Sequence, residues 1–90
     1  MPVKRCVLRD IRTLAQFYDE LAHQLAFPAH FGRNLDALWD VLTGDVAGPF
    51  EIVWEKSAQA QSNLGVDYAK LIILLNDLAA ERDDFTFTLC

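Results

Sequence analysis

The sequence predicts an α/β fold, a three-stranded parallel sheet packed with about four helices. Three observations carry this. Stretches rich in β-branched and aromatic residues stand at the start, middle and end of the chain, at residues 3–8, 50–54 and 84–89. The first interval between them holds two segments with apolar residues at helical spacing, and the second holds a short polar piece bounded by Ser57 and Gly65 and then one such segment. Strands joined through helices run parallel, giving the order β-α-α-β-α-α-β and a mainly parallel sheet.

Residues 3–8 hold Val3 and Val7 and stop before Arg9 and Asp10, which reads as a strand. Thr13 with Gln16 three places on makes a capping box: hydroxyl and amide satisfy each other's backbone donors. Leu14, Phe17, Tyr18, Leu21 and Leu25 then keep a helical stripe to about Ala26, with His23 facing solvent. Pro28 biases Phe27 away from the helical region and ends that helix. Gly32 permits a turn, Asn34 caps the next helix, and Gly44 supplies a left-handed residue to close it.

Residues 45–49 connect to Phe50–Trp54, whose apolar run suits a buried parallel strand, with Glu51 reaching an edge or solvent. Ser57 caps a short helix that runs through Leu64 and closes at Gly65. Asp67 caps the last helix, to about Glu81, with Tyr68, Leu71, Ile72, Leu75, Leu78 and Ala79 facing inward and Ile73 and Asp77 outward. Residues 84–89 alternate strictly, so one face of that strand is less covered.

Ninety residues suit one domain, residues 1–90. A chain of this size buries roughly 60–70% of its unfolded surface, enough for one core. Thirteen acidic residues against eight basic ones give a formal charge of −5. That argues against nucleic acid, which needs clustered cations, and favours a basic protein partner. The N-terminus has no continuous apolar run, being broken by Lys4, Arg5, Arg9 and Asp10, and no segment is apolar for long enough to span a bilayer. A cytoplasmic chain with no membrane partner is expected. Cys6 and Cys90 are too few for a disulfide framework and are expected as thiols.

The centre of interest is the segment Phe27-Pro28-Ala29-His30-Phe31-Gly32-Arg33-Asn34-Leu35-Asp36-Ala37-Leu38-Trp39-Asp40-Val41-Leu42-Thr43-Gly44. At about 100° per residue, Leu35, Leu38 and Leu42 share one helix face, with Val41 at its edge. Asp36 and Asp40 lie opposite, one turn apart, with Thr43 beside them and Trp39 between the two faces. Most aspartates on helices are simply solvated. Here, however, like charges one turn apart oppose the helix, and Asp40 sits near its negative end. A locally unfavourable aspartate beside a half-exposed tryptophan suggests binding.

Other chemistry has little support. The glycines are scattered, with no phosphate-loop spacing, and no nucleophile elbow or Cys–His pair appears. Asp36, Asp40 and Asp45 have no accompanying groups to hold an anionic substrate beside a magnesium ion. Paired carboxylates on an exposed helix also lack a cleft to shift a pKa. No enzyme activity, metal or cofactor is predicted.

The same segment resembles the signature of the barstar family, intracellular inhibitors of secreted guanyl-specific ribonucleases such as barnase. The likeness runs from about Ile11 to Leu89 with little or no gap. It implies the family fold, three parallel strands with four helices, and a 1:1 complex with a basic ribonuclease formed by a chain that is monomeric when free. It implies roles too. Asp40 matches the aspartate that takes the phosphate position, and Asp36 a second interfacial carboxylate. His30 stands where a stacking tyrosine is usual, and Trp39 supports the helix and borders the contact. Thr43, Gly44 and Val46 are kept; Asp45 replaces a tryptophan, Ala47 an acidic residue, Asp77 a glutamate, and Arg33 an acidic loop residue. A retuned rim around a kept centre leaves an alternative, a barstar-like immunity protein whose partner is a non-ribonuclease toxin or a regulator.

Overall fold

The computed structural model describes residues 3–90. The elements are β1 (Lys4–Leu8), α1 (Leu14–Gln24), α2 (Leu35–Gly44), β2 (Phe50–Trp54), α3 (Ser57–Leu64), α4 (Val66–Glu81) and β3 (Phe85–Leu89). The three strands are parallel and lie side by side in chain order, with Cys6 opposite Ile52 and Ile52 opposite Phe87. Two right-handed crossovers that step the same way across a sheet put all their helices on one face.

Burial follows that topology. Cys6, Leu8, Phe50, Ile52, Trp54 and Phe85 are buried on the helix side with Phe17, Leu21, Leu38, Leu42, Leu71, Leu75 and Leu78. The other face carries Arg5, Glu51 and Thr86 in one row and Val7, Val53 and Thr88 in the next. Only alternate side chains of β2 are therefore fully buried. Glu51 lies on the central strand, not at an edge, and meets Arg5 across the open face, Nε to Oε1 2.7 Å. β1's outer edge is closed by a side chain: the Val7 N–H donates to Gln24 Oε1 (3.0 Å), and Gln24 Nε2 donates back to the Val7 carbonyl (2.9 Å). An amide thus takes the place of a fourth strand at that point.

The capping box at Thr13 forms, with Gln16 N–H donating to the hydroxyl. Other boundaries differ from expectation. α1 stops at Gln24, and Ala26 takes a positive φ of 54° in the turn before Pro28. Ser57 is the first residue of α3, not its cap; its N–H and its hydroxyl both donate to the Cys90 carbonyl, fastening the C-terminus. α4 starts at Val66 directly behind Gly65 (φ 59°), so Asp67 sits inside the first turn, where its charge still favours the helix end. Along α4, Leu74 joins the buried residues, and Ala79, expected inside, is exposed. Ile73 is 61% exposed, as its position opposite the stripe predicts.

Both cysteines are free. Cys6 has no solvent exposure, and burial pushes its thiol up to about 12. The unfolded chain loses this proton first, so stability is full below the unfolded thiol value and falls as pH rises towards 12. Urea unfolding between pH 8 and 11 should show a decline of up to about 1.4 kcal/mol per pH unit from this group. Cys6→Ala should flatten that part of the slope. An unchanged slope in the variant would assign the decline to other groups.

Candidate functional site

The loop before α2 is shaped by aromatic packing and one arginine. Phe27 and Phe31 meet edge to face at 5.0 Å, and Phe31 meets Tyr18 of α1 at 5.6 Å. Just before α2 it is Arg33 that takes a positive φ (54°), not Gly32. Gly32 answers to close approach instead, because an added Cβ would lie 3.3 Å from the Ala37 methyl. Arg33 lies over the Tyr18 ring, pairs with Asp19, and donates from Nη2 to the Ala15 carbonyl at 3.3 Å. Its charge is thus taken up along α1. His30 is exposed in the turn that precedes it.

Asn34 is extended (φ −144°), and its Oδ1 accepts from Ala37 N–H at 2.8 Å, starting α2. Leu38, Val41 and Leu42 are buried and Leu35 is partly so, which turns Asp36 and Asp40 outward. Both carboxylates are exposed one turn apart, and neither makes an ion pair or hydrogen bond among the described residues. Trp39 is half-buried against the core beside them. Thr43 turns its hydroxyl inward, donating to the Trp39 carbonyl at 2.7 Å. Gly44 is the last helical residue and has an ordinary φ, so it is not the left-handed stop expected of it; a Cβ there would meet nothing within 4 Å. Asp45 is exposed and caps the helix, its N–H donating to the Val41 carbonyl. Val46 is only 6% exposed, so its side chain belongs to the core and supports the face from beneath.

Asp77 is exposed on α4, which packs against α2. Asp36, Trp39, Asp40, Thr43, Gly44 and Asp45 therefore share one helix and its end. His30 lies in the loop before α2 and Asp77 on α4, and neither pairs with the α2 carboxylates among the described residues. A cavity of about 460 Å³ opens between α1, the start of α2 and the start of α4, with Asp36 among its lining residues. No cluster of three potential metal-ligating side chains is present among the described residues.

One residue of this region escaped the sequence. α2 has no basic residue in its own last turn to offset the partial negative charge there. Arg82, forty positions beyond Leu42, supplies one. Its Nη1 donates to the carbonyls of Leu42 and Val46, both at 2.8 Å. Its Nε and Nη2 form a fork with the Asp84 carboxylate, 2.8 Å each, and its guanidinium lies 4.9 Å from the centre of the Phe50 ring. Hydrogen bonding to Arg82 holds the Asp84 carboxyl below the usual carboxylate range. Gly48 leaves room for this fork, since a Cβ there would lie 1.8 Å from Asp84 Oδ2. No local pattern encodes contacts between positions so far apart.

The geometry is that of an acidic helix presented to solvent with its terminus neutralised from behind. Residues 1–90 match the family described as "Barstar (barnase inhibitor)". A protein of Bacillus subtilis (strain 168) bearing the name "Putative ribonuclease inhibitor YrdF" is 38% identical over 79 residues, 86% of each chain.

Proposed function

The chain belongs to the barstar family, and from that premise we propose that it inhibits a basic, barnase-type endoribonuclease by filling the active site with α2 and the loop before it. The observation that carries this reading is the pair of exposed, unpaired carboxylates of Asp36 and Asp40 on one helix face, beside half-buried Trp39. A ribonuclease active site gathers cationic side chains to hold RNA phosphate. A carboxylate inserted among them makes short, charge-assisted hydrogen bonds in a water-poor setting. In the proposed complex Asp40 takes the phosphate position and Asp36 pairs with a neighbouring cation. His30 stacks from the loop, and Asp45 and Asp77 add charge at the rim.

Rigid packing of Leu38, Val41 and Leu42 matters here, because binding then requires little ordering of the helix. The net charge of −5 would steer a basic partner toward the chain before contact. The relative's printed name supports a ribonuclease target. The changes at His30, Arg33, Asp45, Ala47 and Asp77 favour a cognate enzyme other than barnase, with barnase bound more weakly.

Salt tests the electrostatic part. Between about 0.05 and 0.5 M the screening length falls several-fold. The inhibition constant should rise at least about tenfold over that range, mainly through slower association. Stopped-flow association of the chain with barnase and related guanyl-specific ribonucleases checks it. A salt-independent association rate would contradict an acidic steering face.

A further inference from the structure

We infer that Arg82 is a positioning residue of the recognition face: with Asp84 it clamps the C-terminal end of α2 and holds residues 43–46 in their presented form. The inference rests on the inhibitor reading and adds to it a part that lies behind the contact surface. A helix leaves its last carbonyls without partners, and an end left to water frays. In α2 the end carbonyls of Val41 and Leu42 find partners beyond the helix, and those of Thr43 and Gly44 have none among the described residues. Thr43 Oγ1 donates to the carbonyls of Trp39 and Asp40, the Asp45 and Val46 N–H groups donate to that of Val41, and Arg82 Nη1 donates to that of Leu42. The same Nη1 holds the Val46 carbonyl, so one guanidinium spans the helix end and the chain that leaves it.

Asp84 is what makes this tolerable on a face meant for a cationic enzyme. The fork aims the guanidinium inward and cancels its charge, leaving its side chain 16% exposed. Phe50 bounds it from one side and Gly48 leaves space on the other. Asp40 lies one turn before residues 43–46, on the helix whose end Arg82 holds. Holding that segment before contact lowers the ordering cost of binding.

Direct electrostatics and positioning predict opposite signs. If Arg82 acted on the partner through its own charge, removing it would tighten binding to a basic enzyme. As a positioning residue, its removal loosens binding. The experiment pairs inhibition of barnase with amide hydrogen exchange on the free chain, for Arg82→Ala, Arg82→Lys and Asp84→Asn. Arg82→Ala should raise the inhibition constant at least tenfold. It should also speed exchange at Asp45 and Val46 at least tenfold more than at Ile52 in the central strand. Arg82→Lys keeps the charge without the span and should fall between. Asp84→Asn, which leaves the arginine in place, should show the same direction with a smaller change and covers the case in which Arg82→Ala does not fold.

Equal acceleration at Asp45, Val46 and Ile52 would overturn the proposal, since the clamp would then serve global stability alone. Tighter inhibition by Arg82→Ala would overturn it too. If the unaltered chain fails to inhibit the ribonuclease, the inhibitor reading fails, and the exchange pattern alone decides whether the clamp holds the helix end.

Discussion

Asp40→Ala should weaken ribonuclease inhibition by about 3–5 kcal/mol, a loss of roughly 10²- to 10³-fold or more. The size follows from what the substitution leaves behind. Asp40 is exposed in the free chain, so removing it barely disturbs the fold. In the complex its carboxylate would be enclosed by cations gathered for phosphate, and those cations would lose their counter-charge while remaining buried. Asp40→Asn separates charge from shape and should lose most of the same affinity. Asp77→Ala is the contrast: a peripheral, solvated charge is worth about 0–1 kcal/mol. Inhibition assays on the three variants rank these effects, and equal losses at Asp40 and Asp77 would contradict a central phosphate mimic.

Trp54→Ala should destabilise the fold by about 3–5 kcal/mol. Trp54 ends the central strand, has no solvent exposure, and packs against Phe17 at 5.0 Å and Tyr68 at 5.3 Å between ring centres. Removing it empties the junction of β2, α1 and α4. A chain of this length has a total stability of only about 5–13 kcal/mol, so the loss would take roughly a quarter of it or more. Trp54→Phe should cost much less. It keeps most of the ring, and the indole Nε1 that it removes is buried without a hydrogen-bond partner. Trp39→Ala should also cost less, because Trp39 is only partly buried in the free chain. Urea unfolding followed by far-ultraviolet circular dichroism distinguishes the three.

The parts of this structure that were legible in the sequence depend on neighbours a few residues apart. The Thr13–Gln16 box, the Asn34 cap, the strand Phe50–Trp54 and the outward turn of Asp36 and Asp40 all follow from local geometry and periodicity. The misread parts were settled by distant contacts. Ser57 would suit a cap, but the Cys90 carbonyl, brought beside it by β3, takes its hydroxyl. Glycine's tolerance of positive φ makes Gly44 an expected stop, but the helix continues through it and ends at Asp45. Along α4 the buried stripe takes Leu71, Leu74, Leu75 and Leu78 and leaves Ala79 in solvent.

Glu51 reaches solvent across the open face rather than an edge, because β2 is central. Strand order was needed to see that all the helices share one face and leave the other to an Arg5–Glu51 pair. Val46, which the resemblance places in the contact region, has its side chain in the core. Arg82 gave no local signal, since its partners lie 36 and 40 positions away.

The most direct measurement of the central claim is competition with a phosphate ligand. The ribonuclease is saturated with guanosine 3′-monophosphate, and the chain is titrated in by calorimetry or by displacement of a fluorescent nucleotide. An inhibitor that puts the Asp40 carboxylate in the phosphate position must be mutually exclusive with the nucleotide. Its apparent dissociation constant should then rise in proportion to nucleotide concentration, and Asp40→Ala should bind far more weakly at every concentration. A ternary complex, with the chain and the nucleotide bound together at undiminished affinity, would contradict the account.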